Sequence, residues 1–362
     1  MIRSITARCL PTRSEAPGVA HRAPPHDQSP RTHVRDALAS AGRVREDDLE
    51  RKPDVDAAAT AALLRRVFGC TPAFARTPDG VSTQVYRVFR GTDTFYLRVA
   101  EEPGEDLRTE AELHDRLRGL GVRVADVVHV EPLDAGIGRS VLITTEVPGT
   151  SLADVSDPAV AATVAEDAGR DLALLNAVAV DGYGFVRRHG PGWPLRAEHS
   201  RHATFVMSHL PQRWPGPLES LFDGRDLEAV EGLLERERAR PPARAALAHG
   251  DFDVTPIFCA DGRYTGLIDF GEIRGTEPLF DLGHFLLHDR ETLPVALLPA
   301  VLRGYQQVRP LPADHAETIL RSAVLLGLRQ LSRWLGPPRG FGLDHPAVVD
   351  RARRITELVA PL

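Results

Sequence analysis

Two acidic turns on either side of a short hairpin are the residues of this chain best suited to chemistry. The first turn is His249-Gly250-Asp251, and Asp269-Phe270-Gly271 begins eighteen positions after its aspartate. Between the turns, the apolar stretches Ile257-Phe258-Cys259 and Tyr264-Thr265-Gly266-Leu267-Ile268 are joined by Asp261-Gly262, which is typical of a tight β-hairpin. Such a hairpin would bring both acids to one mouth. One carboxylate could then orient an attacking hydroxyl while the other holds Mg²⁺ against nucleotide phosphates.

The sequence around these turns resembles the aminoglycoside phosphotransferase family. The resemblance is carried by Leu247-Ala248-His249-Gly250-Asp251-Phe252, by Gly266-Leu267-Ile268-Asp269-Phe270-Gly271-Glu272 and by Phe280-Asp281-Leu282-Gly283. It runs from about Val55 to the C-terminus. The resemblance implies an α+β, bilobal, protein-kinase-like fold, with a small N-terminal lobe built on an antiparallel sheet and a larger, mostly helical C-terminal lobe. It also implies transfer of the γ-phosphate of ATP or GTP to a hydroxyl of a small molecule, such as an aminoglycoside-like antibiotic or a metabolite.

The same resemblance suggests a role for each acid. Asp251 would orient the substrate hydroxyl, and His249 would brace its turn. Asp269 would bind Mg²⁺, a hard cation that prefers oxygen ligands. Asp281 matches a structural acid beneath the catalytic loop. The alternative is that these acids only cap turns.

Candidate phosphate-binding groups precede the first turn by more than a hundred residues. Gly80, Ser82 and Thr83 could lay backbone amides and hydroxyls over phosphates, although the full three-glycine spacing is missing. Arg98 stands on the strand where kinases place a lysine. Because Lys52 is the only lysine in the chain, any cation that binds phosphate downstream of it must be an arginine.

Two further segments complete the expected nucleotide site. Glu110 is the favoured ion-pair partner of Arg98. Glu112 is an alternative, but it lies about 200° away around a helix, so only one of the two can face the sheet. Glu146 and Val147, before Pro148-Gly149, resemble the connector whose backbone amides receive the nucleotide base, although any linker could carry this composition.

One position departs from the family pattern. The family has a metal-binding Asn five residues after the catalytic aspartate, whereas this chain has Pro256, which offers no side-chain ligand and no N–H. Asp253 is the preferred substitute ligand, with Thr255 as an alternative. A nucleotide-binding pseudokinase with weak or no catalysis is therefore the competing hypothesis.

Sequence patterns also predict the elements that position these residues. A helix over 56–68 precedes a hairpin over 80–99, a charged helix over 106–120 and strands over 127–130 and 141–146. These patterns divide the chain into a disordered tail (1–50), an N-terminal nucleotide-binding lobe (51–146) and a C-terminal catalytic and substrate-binding lobe (147–362). The last lobe is expected to be mostly helical apart from the catalytic hairpin.

Composition excludes several classes of function and leaves the acceptor open. The net charge of −6 means that the chain has no overall positive potential to attract nucleic acid. The sequence contains no run of eighteen apolar residues, so no transmembrane helix is expected. The three cysteines share no metal-site spacing and are too few for a disulfide scaffold, which favours reduced thiols in the cytoplasm. The acid-rich segment 218–238 could form an acidic wall for a polycationic acceptor, but a solvated helix face is the commoner explanation. The oligomeric state is not predicted.

Overall fold

The structure is a computed structural model that describes residues 53–77, 84–189, 193–208, 210, 215–239, 244–337 and 339–360. The helices are α1 (Ala57–Phe68), α2 (Arg108–Gly119), α3 (Pro158–Leu175), α4 (His202–Met207), α5 (Gly224–Ala239), α6 (Phe280–His288), α7 (Leu298–Val308), α8 (His315–Leu335) and α9 (Pro346–Val359). The strands are β1 (Ala73–Arg76), β2 (Gln84–Arg90), β3 (Asp93–Val99), β4 (Val127–Glu131), β5 (Val141–Thr145), β6 (Thr150–Ser151), β7 (Tyr183–Val186), β8 (Ala197–His199), β9 (Ala246–Ala248), β10 (Ile257–Ala260), β11 (Arg263–Leu267) and β12 (Arg274–Thr276).

The N-terminal part is a five-stranded antiparallel sheet in the order β1-β2-β3-β5-β4. Helix α1 begins where the Asp56 carboxylate accepts a hydrogen bond from the Ala59 N–H, and it ends at Gly69, whose φ of 71° suits glycine. Leu63 and Leu64 of this helix are fully buried in the core that covers the sheet. The antiparallel sheet predicted for this part of the chain is therefore confirmed.

Helix α2 lies under the same sheet, where Leu107 and Ala111 pack with Ala100 and Leu142. It ends just before Gly121, whose φ is 92°. This packing turns the first turn of α2 toward β3 and so determines which acid of the helix can reach that strand.

The C-terminal part is mostly helical, and the crossing of α6 over α8 is its most important contact for the site. A Cβ on Gly283 would lie 2.3 Å from the Ser322 Cβ, so only glycine lets the two helices approach this closely. The crossing places His284, the next residue of α6, over the turn that carries Asp251. Within the described residues, no helix is both long enough and apolar enough to span a bilayer.

Several strands in this part were not predicted. A four-stranded sheet runs in the order β8-β7-β12-β9, and β6 extends the β10-β11 hairpin into the sheet β11-β10-β6. Strands of two to four residues are too short to show a period of two, so their pairing is visible only in three dimensions. The predicted tail, 1–50, lies outside the described residues.

Candidate functional site

The fully buried Asp281 holds the turn that carries Asp251 through hydrogen bonds to its backbone. Its carboxylate accepts hydrogen bonds from the His249 N–H at 2.9 Å and from the Gly250 N–H at 2.8 Å. Asn176 Nδ2 donates to the same carboxylate at 3.3 Å. Gly250 has a φ of 88°, and a Cβ there would lie 2.0 Å from the Glu272 carbonyl oxygen. The backbone of this turn is therefore held in one geometry before any ligand binds.

His249 joins this turn to the residues just before Asp269. Its side chain is fully buried, and Nε2 lies 2.9 Å from the Ile268 carbonyl oxygen. The Phe270 ring lies between two imidazoles, with centroids 5.0 Å from His249 and 5.0 Å from His114 of α2. The two turns and helix α2 therefore pack as one unit.

Asp269 occupies the left-handed backbone region, with a φ of 61°. Aspartate tolerates this region better than most residues because its short side chain can bond to nearby backbone. Here Oδ1 accepts the Gly271 N–H at 3.3 Å. The strained turn presents the carboxylate to the cavity that Asp251 also lines.

Arg98 and Glu110 form a buried ion pair, with Nη1 2.6 Å from Oε1. Burial alone would lower the pKa of Arg98, but the charges of Glu110 and Asp269 raise it above its ordinary value. A Cβ on Gly271 would lie 3.3 Å from Arg98 Nη2, so the guanidinium stands beside the turn that carries Asp269. Glu112 instead pairs with Arg116 on the exposed face of α2. Of the two candidate acids, Glu110 is therefore the one that pairs with Arg98.

A cavity of about 760 Å³ connects these groups. Of the residues expected to form the site, it is lined by Arg98, Glu110, Val147, Asp251 and Asp269. The two aspartates, eighteen positions apart in sequence, thus meet at a single cavity. Tyr96 and Thr144 line its sheet side.

Other expected site residues are placed differently or not described. The Glu146 N–H donates to the Thr94 carbonyl oxygen at 3.2 Å, and its carboxylate pairs with Arg87, so Val147 is the better placed of the two connector residues. Asp253 is not among the described residues that line the cavity. Its Oδ1 accepts the Thr255 N–H at 2.6 Å. Gly80, Ser82 and Thr83 lie outside the described residues.

His284 is a site residue that sequence reasoning missed. Its Nε2 lies 3.2 Å from Asp251 Oδ1, and the ring is almost completely buried. Burial alone would raise the pKa of Asp251, but hydrogen bonding to His284 and its charge bring that pKa below the ordinary value. The only sequence signal was a histidine three residues after the structural acid Asp281.

The donor set at Asp269 fits Mg²⁺. This ion typically takes one or two protein carboxylates and completes its shell with water and substrate phosphates, so Asp269 with a nucleotide could be sufficient. Arg98 would face the same phosphates as a fixed cation.

The chain belongs to the phosphotransferase enzyme family, since the model of that family matches residues 73–317. This membership makes it a small-molecule kinase, with the protein-kinase-like bilobal fold predicted from its motifs. A search of curated protein sequences finds no match.

Solved structures show the same fold at low identity. Similar structures include a thermostable mutant of the aminoglycoside phosphotransferase APH(4)-Ia in a ternary complex with ADP and hygromycin B, at a TM-score of 0.60 and 14% identity, covering 83% of this chain and 98% of that one. A candidate aminoglycoside phosphotransferase from Ralstonia eutropha JMP134 matches at 0.58 and 16%, covering 85% and 99%. A candidate fructosamine-3-kinase from Thermobifida fusca YX-ER1 matches at 0.52 and 20%, covering 83% and 100%.

Proposed function

We propose that this protein transfers the γ-phosphate of ATP or GTP to a hydroxyl group of a small molecule, with Mg²⁺ as the metal. The observation that carries the proposal is the shared cavity of Asp251 and Asp269, with the buried Arg98–Glu110 pair on its sheet side. The nucleotide-bound structure of a similar phosphotransferase supports a nucleotide donor. Three cysteines are too few for a disulfide scaffold, and this supports a cytoplasmic setting.

In the reaction, the acceptor oxygen forms a bond to the γ-phosphorus while the bond to the leaving nucleoside diphosphate breaks. Asp251 accepts a hydrogen bond from the acceptor hydroxyl and takes its proton late, as the new bond forms. Its pKa is held low by His284, so it contributes mainly by orienting the nucleophile. Arg98 neutralises phosphate charge, and Glu110 keeps its guanidinium in place. Bound Mg²⁺ would neutralise further phosphate charge.

Asp251→Asn tests the proposal. We expect turnover to fall by about 10²- to 10⁴-fold, because the amide can neither orient nor deprotonate the hydroxyl in the same way. Nucleotide affinity should stay close to that of the parent. Asp261→Asn, in the hairpin turn, is the matched control, and it should leave both quantities unchanged. Near-parental turnover in Asp251→Asn would remove Asp251 from the mechanism.

A nucleotide-binding pseudokinase is the second candidate, and Pro256 is the observation that favours it. The Pro256 carbonyl oxygen accepts the Ile268 N–H at 3.0 Å, so this residue holds the hairpin but provides no side-chain metal ligand. Calorimetric titration with ATP, with and without Mg²⁺, followed by an assay of ADP release, separates the two. Tight binding with no ADP release from any acceptor would favour the pseudokinase.

A further inference from the structure

One face of α8 forms the cavity wall beyond the catalytic turn. Leu326, Arg329, Gln330 and Arg333 all line the cavity, and their spacing of three, four and seven residues places them along one side of the helix. Two more arginines, Arg274 and Arg339, line the same cavity. The wall next to Asp251 is therefore rich in arginine.

Arg274 is the innermost of these cations. Its side chain is buried and bonded to Glu272, with Nη2 2.6 Å from the carboxylate and Nε 3.0 Å from the carbonyl oxygen. A Cβ on Gly250 would lie 2.8 Å from Arg274 Nε, so the guanidinium stands directly beside the catalytic turn. Its Nη1 is buried and has no hydrogen-bond partner in the part of the chain that the structure describes.

Arg329 lies next to Arg274 and shares its aromatic contact. The two guanidiniums lie 5.0 Å and 4.7 Å from the centroid of the Phe185 ring. Between residues 53 and 360, leaving out the segments that the structure does not describe, no ion pair or hydrogen bond reaches the side chain of Arg329. Burial, followed by the charges of Arg274 and Arg333, lowers the pKa of Arg329 to about 10.

Crowded cations in a cavity are electrostatically unfavourable unless something negative neutralises them. The charges of Glu272 and Glu198 act on Arg329 but do not offset its burial, and Glu272 is already paired with Arg274. Of the other acids that line the cavity, Glu110 is paired with Arg98 and the charge of Glu101 acts on the same guanidinium. Asp251 and Asp269 have the catalytic and metal roles proposed above. Arg333 lies in the last turn of α8, where the negative end of the helix dipole stabilises a positive charge. Arg329 lies one turn earlier, so the dipole does not account for its position.

The acid-rich segment 218–238, a candidate acidic wall for a polycationic acceptor, does not line this cavity in the part of the chain that the structure describes. Within this segment, Asp226 of α5 instead accepts a hydrogen bond from Thr356 of α9. An amine-rich acceptor would bring positive charge toward Arg274 and Arg329.

We propose that Arg329, together with Arg274 and Arg333, binds a carboxylate or phosphate group of the acceptor, so that the substrate is a hydroxylated anion. A guanidinium suits this task because its planar donors match the oxygens of carboxylate and phosphate. The inference rests on the proposed function, because it takes Asp251 as the residue that orients the acceptor hydroxyl. The nucleotide also carries phosphates, and the test must separate these two sources of negative charge.

The test compares three compounds that share one six-carbon polyol skeleton: gluconate, its uncharged amide gluconamide, and the amine glucamine. Inorganic phosphate serves as a second anion, with ionic strength balanced by chloride. Each is titrated by thermal shift into protein saturated with AMP-PNP and Mg²⁺. We expect an anion-dependent rise in melting temperature that gluconamide and glucamine do not reproduce. In ADP-release assays with ATP, gluconate should likewise be preferred over its two analogues.

Arg329→Gln and its matched control, Arg353→Gln on the exposed face of α9, locate the effect. Loss of one charged donor should weaken anion binding about tenfold or more in Arg329→Gln. The control should behave as the parent, since Arg353 pairs with Asp350 at the surface. The melting temperature of each variant without ligands reports on folding, and Arg329→Lys, which keeps the charge, should recover part of the binding.

Four outcomes would overturn the inference. These are binding of gluconamide or glucamine as tight as that of gluconate, anion binding unaffected by Arg329→Gln, no stabilisation by either anion, or weaker AMP-PNP binding in Arg329→Gln with anion binding intact. The last result would assign the arginines to the nucleotide phosphates. Failure of the parent to bind AMP-PNP, or to release ADP with any acceptor, would instead count against the proposed function itself.

Discussion

His284 Nε2 lies 3.2 Å from Asp251 Oδ1, while the other ring nitrogen, Nδ1, lies 3.2 Å from the Phe252 carbonyl oxygen. Both partners are acceptors, so both ring nitrogens must donate, which requires a protonated imidazole. Burial alone would lower the pKa of His284, but the bond to Asp251 and its charge raise that pKa above the ordinary value. The contact therefore favours an ionised Asp251 carboxylate beside a protonated, buried His284.

We expect His284→Gln to lower kcat by about 10- to 100-fold, because a hydrogen bond to a charged group contributes about 1.5–3 kcal/mol. The KM for the nucleotide should change little, since Arg98 and Asp269 remain in place. Steady-state kinetics with ATP and any accepted substrate measures both constants. His315→Gln, at the start of α8 and not among the described residues that line the cavity, is the control. A parental kcat in His284→Gln would show that the contact does not position Asp251.

The same contact predicts how stability depends on pH. A raised histidine pKa gives stabilisation that is complete below the ordinary value of 6.5 and lost as pH rises through the folded-state pKa. A lowered aspartate pKa gives stabilisation that is present above the ordinary value of 3.8 and lost as pH falls through the folded-state pKa. The difference in unfolding free energy between the parent and His284→Gln should therefore be largest between pH 4 and pH 6.5.

Urea denaturation across this pH range, with EDTA present to remove divalent ions, measures the difference. Ionisation of the His284–Asp251 pair is responsible if the difference in unfolding free energy between the parent and His284→Gln shrinks both above pH 6.5 and below pH 4. A difference that stays constant from pH 4 to pH 9 would contradict it. The His315→Gln control should run parallel to the parent throughout.

The sequence was sufficient to predict the elements that show a strong local pattern. Helix α1, with its cap at Asp56 and its end at Gly69, and the hairpin around Asp261-Gly262 formed as predicted because capping and turn chemistry are local. The four-stranded sheet around β7 was missed because its pairing depends on contacts between segments that are far apart in sequence.

The site was predictable where a residue belongs to a spaced motif, and not where it acts from another element. The placement of Asp251, Asp269 and Arg98 around one cavity agrees with the motif-based expectation, while their catalytic roles stay predictions. His284 and Arg329 reach the cavity only because α6 crosses α8 closely at Gly283. No pattern in the sequence gives that crossing, so a histidine and an arginine on two helices could not be connected to the turn that carries Asp251.

Glu110→Gln should be much more damaging than Glu112→Gln, although the two acids are two residues apart. Glu110 pairs with Arg98 in a buried position, and removing one partner of such a pair costs about 3 kcal/mol or more. Glu112 pairs with Arg116 at the surface, where a pair contributes less than about 1 kcal/mol. Unfolding free energies from urea denaturation should show this difference, and only Glu110→Gln should weaken binding of AMP-PNP. Equal effects of the two changes would contradict the assignment of Glu110.

Asp253 is the last residue to test. Pro256 stands where the family pattern has a metal-binding Asn, and Asp253 is the expected substitute ligand. The Asp253 carboxylate accepts the Thr255 N–H at 2.6 Å, so it has a local structural role whether or not it also meets a metal. Asp253→Ala removes both roles. Asp253→Asn keeps an acceptor oxygen for Thr255 but removes the charge, so comparison of the two variants separates the turn from the metal.

If Asp253 supplies a metal ligand, both variants should raise the Mg²⁺ concentration needed for half-maximal turnover by about tenfold, because Mg²⁺ prefers anionic oxygen. If only Asp253→Ala has this effect, the residue acts through the turn alone. Pro256→Asn in the parent is the complementary change, and it should lower the Mg²⁺ requirement because it restores a side-chain oxygen. Its carbonyl oxygen can still accept the Ile268 N–H, so the hairpin should fold unchanged. A Mg²⁺ requirement unaltered in all three variants would mean that Asp269 and the nucleotide hold the ion without help from this loop.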